Sequence, residues 1–171
     1  MAVLDVLTWP DPRLRAVARP VEVFDAGLRD FIADLEETMR AGPAAVGIAA
    51  PQVGDGRRVV IVDASSRRRS PCHGRLVLVN PEIVDWEGHE VGREGCLSVP
   101  DYTGNVIRAR RIVVEALDER GGPQRYEMEG FEARVVQHEI DHLDGRLFLD
   151  RLVSRRNDLF RRGAGGTPAG K

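Results

Sequence analysis

A single α+β domain with antiparallel sheets is what the sequence predicts, and three observations carry that prediction. The chain has 171 residues, enough for one sizeable core and short for two. Two segments show helical periodicity, one early and one late. Between them lie short β-branched runs whose connections are too brief to hold a helix, and strands joined that way pair antiparallel rather than in a doubly wound sheet.

Asp25 stands as an N-cap before apolar residues at Leu28, Ile32, Leu35 and Met39, while Arg29, Asp30, Asp34, Glu36, Glu37 and Arg40 fall on other faces. That spacing predicts an amphipathic helix ending near Gly42 and Pro43. Strands are expected at "RRVVIVD" (57–63), "RLVLVN" (75–80), "RIVVEAL" (111–117) and the alternating "QRYEMEG" (124–130), punctuated by "GDG", "SPCHG" and "DERGGP". A second helix carries "QHEIDHLDG" (137–145). At about 100° per residue, Phe131, Val135, His138 and His142 share one stripe, and Val136, Ile140 and Leu143 form an apolar stripe beside it. Only Arg134, Gln137, Asp141 and Asp144 share the remaining wedge. A helix apolar over most of its circumference is enclosed by the fold, so both histidines should point inward.

With 25 basic and 27 acidic residues the net charge is -2, which gives no overall field to hold nucleic acid or an anionic membrane. Any charged partner must be met locally. The stretch "MAVLDVLTWPDPRLR" lacks a basic n-region and is interrupted by Asp5 and Pro10, so it reads as neither signal peptide nor membrane span, and a cytoplasmic protein is expected. Cys72 and Cys96 are the only cysteines. They make no disulfide framework, and in a reducing compartment each thiol is free for metal or chemistry.

His138 and His142 at i and i+4 project side by side and can bind one ion. Glu139 lies about 80° round the helix, beside the ion rather than on it, where a general base for hydrolysis belongs. The third ligand is the open question. A metzincin would place histidine at 148, where Phe148 stands, and a gluzincin would use a downstream glutamate, of which there is none after Glu139. His73 and His89 sit in turn-rich or strongly polar sequence and read as exposed. Cys96, in "REGCLSVP", reads equally as a ligand or as a small buried hydrophobe, and Cys72 reads as an exposed loop thiol.

Three stretches together resemble the peptide deformylase family: "VGIAAPQ" (46–52), "EGCLS" (94–98) and "QHEIDH" (137–142), in that order, with "TWPDPRLR" (8–15) similar to the family's N-terminal stretch. The resemblance covers roughly residues 1 to 150, which would form a deformylase-like catalytic domain. A short basic helix and a disordered tail, "RRGAGGTPAGK", would occupy 151–171.

The resemblance implies antiparallel sheets wrapped around a central helix bearing the two histidines. It also implies a divalent metal held by Cys96, His138 and His142, iron(II) in the cell and zinc or nickel as purified. Glu139 would be general acid and base, and Gln52 with the backbone N–H of Leu97 would receive the oxyanion. The reaction implied is removal of formyl from the N-terminal methionine of nascent chains. Val46, Gly47, Phe131 and Val135 are the expected substrate lining, and Glu94 and Arg108 are expected to support the ligands or to form a surface ion pair. Between Arg146 and Lys171 seven basic residues face two acidic ones; the run reads first as a solvated helical end, and the resemblance implies ribosomal RNA phosphate as the alternative.

Two residues depart from the family pattern. Ala45 replaces the first glycine of GxGxAAxQ, and Thr103 stands where bacterial members often carry arginine; both bear on substrate choice. An enzyme of the same chemistry acting on a specialised or small formamide is the alternative. A non-catalytic metal-binding or ribosome-associated module would need neither Gln52 nor Glu139.

Overall fold

The computed structural model describes residues 2–67 and 71–162, together with the backbone of 168 and 169. Among the described residues, two helices, α1 (Ala26–Ala41) and α2 (Gly130–Leu143), accompany two antiparallel sheets. The first sheet contains β1 (Gly47–Ala49), β2 (Val59–Asp63), β3 (Arg75–Glu87), β6 (Arg111–Leu117) and β7 (Pro123–Glu129), in the order β1-β2-β3-β6-β7. The second contains β4 (Glu90–Cys96), β5 (Val99–Arg108), β8 (Leu159–Arg162) and β9 (Pro168–Ala169), in that order. The α+β, antiparallel expectation holds.

At β2 and the first half of β3 the first sheet is buried on both faces. Val60, Val62, Leu76 and Leu78 pack with Ala133, Val136, Ile140 and Leu143 of α2. Their neighbours Val59, Ile61, Val77 and Val79 pack with Leu28, Ile32, Leu35 and Met39 of α1. Alternate residues along β2 and β3 thus enter different cores, which is why these strands read as unbroken apolar runs. Each such burial is worth about 1.5–3 kcal/mol, and a slip of one residue would exchange the two sets. Helix α1 starts where the sequence places it, with Asp25 Oδ1 accepting the Leu28 N–H at 2.9 Å, and it ends at Gly42.

β3 runs past its expected end at residue 80. Asn80 takes a positive φ of 51°, its side chain bonds the Val21 N–H and C=O at 2.8 and 3.0 Å, and the register shifts between Val79 and Glu82. This irregularity carries the strand beyond Pro81. β4 and β5 have no counterpart among the expected strands. Residues that face inward from them include Glu94 and Arg108, both buried, so charge stands where apolar residues would have announced a strand.

The basic helix expected after residue 150 is corrected. A 3-10 turn at Phe148–Arg151 leads through further turns to strand β8, which pairs with β5 through Tyr102↔Arg161, Thr103↔Phe160 and Gly104↔Leu159. The open edge of β5 offers hydrogen bonds that a local reading of the segment cannot see. Leu152 and Leu159 also pack on the cluster of Leu14, Val99, Val106, Leu147 and Phe148, so residues 151–162 join the body of the domain. Gly104 makes room: a Cβ there would meet Leu152 and lie 3.0 Å from the Asp158 carbonyl. Of the tail expected to be disordered, Arg161 and Arg162 lie in β8 and Pro168–Ala169 pairs with them, while 163–167 and 170–171 lie outside the described residues. No helix among the described residues is long and apolar enough to cross a membrane.

Candidate active site

Helix α2 sets His138 and His142 side by side, ring centroids 5.1 Å apart. Cys96 reaches them from the last position of β4, rather than from the start of an extended segment as the sequence suggested. Among the described residues these three form a group able to hold a metal, with ligand atoms all within 4.8 Å of one another, and the Cys96 Sγ lies 3.4 Å from His142 Nε2. The donor set fits a borderline divalent ion: one thiolate and two imidazoles, with a position left open for chemistry. Burial holds His142 well below the usual imidazole pKa, which favours the neutral, ligating form.

His138 is oriented from behind, its Nδ1 2.8 Å from Glu94 Oε1. The other bonds of Glu94 come from Arg108 Nε and Nη2 at 3.0 and 2.9 Å and from Arg134 Nη1 at 2.7 Å. Arg108 continues to Asp141 Oδ2 at 2.6 Å, and Arg151 binds the same carboxylate at 3.0 and 3.1 Å. Burial pushes the Glu94 carboxyl up, but hydrogen bonds from His138 and Arg108 outweigh it and hold it well below the carboxylate range. Glu94 and Arg108 are therefore a buried pair, not a surface one. Arg134 and Asp141, expected on the polar wedge of α2, are buried with them. Their seven-residue separation on a mostly apolar helix was the available signal. Glu94→Leu is expected to cost about 3–5 kcal/mol in urea unfolding, because Arg134 would stay buried without its carboxylate and Arg108 would keep Asp141 alone.

Glu139 is buried and, among the described residues, has no partner for Oε1, and burial pushes its carboxyl up to about 7. It leans on β1, where a Cβ on Gly47 would come within 2.6 Å of Oε2. Gln52 sits in the 3-10 turn Ala50–Val53. Its Oε1 accepts the Ala49 N–H at 3.0 Å, which leaves Nε2 to face Ser98 Oγ at 3.1 Å and Cys96 Sγ at 3.5 Å. A cleft of about 900 Å³ runs along this group; Val46, Gly47, Gln52, Leu97, Phe131 and Val135 line it beside Cys96, His138 and Glu139.

Other sequence expectations divide. Thr103 lines the same cleft. The left-handed backbone near β1 falls at Ala44, φ 53°, and not at Ala45, so the missing glycine at 45 imposes no strain there. His89 is exposed. His73 is exposed too, though its Nδ1 lies 2.7 Å from the buried Glu132. Cys72 is half-buried rather than exposed.

Comparison with known proteins agrees with this geometry. The family model described as Polypeptide deformylase matches residues 3–158. A peptide deformylase of Alkalilimnicola ehrlichii is 50% identical over 163 residues, 95% of this chain and 89% of the relative. Peptide deformylase 2 of Vibrio cholerae is 49% identical over 93% of this chain and 92% of its own length. Among solved structures, a peptide deformylase from Legionella pneumophila superposes with a TM-score of 0.82 at 43% identity, covering 88% of this chain and 86% of that one. The Thermotoga maritima enzyme gives 0.83 at 38%, covering 90% and 100%. The chain belongs to the polypeptide deformylase family.

Proposed function

We propose that this deformylase hydrolyses the N-formyl group from the methionine that begins nascent polypeptides, releasing formate. The observation that carries the reading is a buried Glu139, its Oε1 without a partner among the described residues, beside the Cys96, His138 and His142 group on the wall of an open cleft. A divalent ion bound there would supply Lewis acidity toward the formyl carbonyl and toward water at neutral pH. Cys96, His138 and His142 hold it, and α2 is the central element about which both sheets are arranged. Iron(II) would be the resident ion in the cell, and zinc or nickel the ion found as purified.

Glu139 takes the attacking water's proton and delivers it to the leaving amine, a role suited to a carboxyl poised near neutrality. Gln52 Nε2, aimed by the Ala49 N–H that fixes the other end of its amide, receives the developing oxyanion together with the Leu97 N–H. One such donor is worth about 3 kcal/mol. Glu94 and Arg108 keep His138 in its ligating orientation. Val46, Phe131 and Val135 hold the methionine side chain, while Gly47 lets strand β1 pass close to Glu139. Gly47→Ala should therefore push the carboxylate aside, lowering kcat by about 100-fold while metal content stays at wild type.

The test of the reading is formate release from formyl-Met and acetyl-Met peptides by anaerobically purified, metal-analysed protein. Formyl-Met peptides are expected to turn over and acetyl-Met peptides to be refused. Inert formyl-Met peptides alongside turnover of another formamide would transfer the reading to the specialised-formamide alternative. Cytoplasmic residence and ribosome contact belong to the same proposal. Arg151 is already paired with Asp141, whereas Arg155 and Arg156 are exposed side by side on the turn before β8 and offer adjacent positive charges to phosphate. Arg155→Gln with Arg156→Gln should weaken salt-sensitive co-sedimentation with ribosomes; unchanged co-sedimentation would leave these arginines as a solvated turn.

A further inference from the structure

The mouth of the cleft carries three arginines that the reaction itself does not use. Arg93, on β4, stacks its guanidinium 3.8 Å over the Phe160 ring of β8 and donates to Asn105 Oδ1 at 3.0 Å and Thr103 Oγ1 at 3.3 Å. Arg162 of β8 lies against Gly95, its Nη2 2.5 Å from where a Cβ would stand; Thr103 Cγ2 is 3.4 Å from the same point. Arg67 stacks 4.2 Å over Phe131. All three line the cleft.

Their partners distinguish them from many other arginines in the chain. Arg13, Arg57, Arg108, Arg111 and Arg151 each lie against a carboxylate. Among the described residues Arg67, Arg93 and Arg162 have none within ion-pair distance, and the contacts named for them are a backbone position, neutral side chains and aromatic rings. Such contacts order a guanidinium without neutralising it. The cleft's two carboxylates do not offset them. Glu94 is occupied by Arg108, Arg134 and His138, and Glu139 is committed to the reaction. A protein of net charge -2 thus presents a local, preorganised positive field where substrate enters.

The position of Arg162 also bears on Thr103. Strand β8 lies along β5 with Thr103 opposite Phe160, and Arg162 places a guanidinium beside that threonine. A cation is thus supplied to the cleft beside Thr103 from another strand.

We propose that Arg162, Arg93 and Arg67 make this enzyme selective for formyl-methionyl peptides with Asp or Glu in the residues that follow methionine. The inference rests on the deformylase reading for its substrate and adds the charge preference. The chain beyond methionine must leave the slot of Val46, Phe131 and Val135 through this mouth. An acidic side chain there gains an ion pair with a cation already held in place, and a basic one meets repulsion.

The test compares amidated formyl-Met-Ala-Glu-Glu, formyl-Met-Ala-Ser-Ser and formyl-Met-Ala-Lys-Lys on the metal-loaded full chain, at roughly 0.02 M and roughly 0.5 M potassium chloride. At low salt kcat/KM should fall in that order, by about tenfold from acidic to basic peptide, mostly through KM, as two exposed ion pairs gained or lost would give. High salt should compress the ratio. Arg162→Gln and Arg93→Gln should narrow it, whereas Arg125→Gln, on β7 outside the cleft, should not.

Equal kcat/KM for the three peptides at low salt overturns the proposal. So does a ratio indifferent to both salt and the Arg162 substitution. Fluorescence anisotropy of labelled, amidated Met-Ala-Glu-Glu and Met-Ala-Lys-Lys reads the preference without turnover. Tighter, salt-sensitive binding of the acidic peptide with every formyl peptide inert would sink the deformylase reading and keep the charge selection. Brisk turnover with equal binding and equal rates would do the reverse.

Discussion

Glu139→Gln is expected to retain its metal and to lose roughly a thousandfold in kcat, the scale of a deleted general acid and base. The substitution preserves the volume and one carbonyl oxygen of the side chain, so the contact with Gly47 and the helix packing survive. It removes the role proposed for that carboxylate, the capacity to take a proton from water and give it up to an amine. Glu139 is suited to this because it is buried with no partner for Oε1 among the described residues and its carboxyl is pushed up to about 7 by that burial. Metal content by mass spectrometry and single-turnover formate release together decide the matter. A near-normal rate in a variant that keeps its metal would remove Glu139 from the mechanism.

Cys96→Ala is expected to lose metal and activity together. Two imidazoles on one turn of helix bind a divalent ion far less tightly than the same pair joined by a thiolate. The loss in affinity should exceed the roughly 10–100-fold that removing a mere outer hydrogen-bond partner costs. Cys72→Ala should change neither quantity, because Cys72 is not part of the metal-capable group. Cys96→Asp is the sharper comparison: oxygen can occupy the ligand position, but the harder donor shifts preference among iron, nickel and zinc. Equilibrium dialysis against each ion gives the affinities. Full occupancy in Cys96→Ala would refute the ligand assignment.

Legibility in the sequence followed the range of the forces involved. Helix α1 was readable from Asp25 to Gly42 because capping and period are local properties. So were β2, β6 and β7 to within two residues, and β3 up to the irregularity at Asn80. His138, Glu139 and His142 were readable because one turn of helix fixes their relation. Cys96 was not: it stands 46 residues before His142, and nothing in its own surroundings separates a ligand from a small buried residue. Only the family resemblance put it in the site.

What the sequence by itself determined is the apolar pattern of the sheet facing both helices, the caps, the histidine pair and the family. The tertiary structure alone decided which charges are buried and what they meet. Glu94, Arg108, Arg134 and Asp141 all look like surface residues one at a time, yet they lie in the interior because each brings the others' counter-charge. The same holds for β8. Its residues carry no strong strand signal, and the segment becomes a strand because β5 presents an unpaired edge beside it, which in turn delivers Arg162 to the cleft. Hydrophobic periodicity is a property of neighbours along the chain, whereas the burial of a charge and the pairing of an edge depend on partners that only the folded chain brings near.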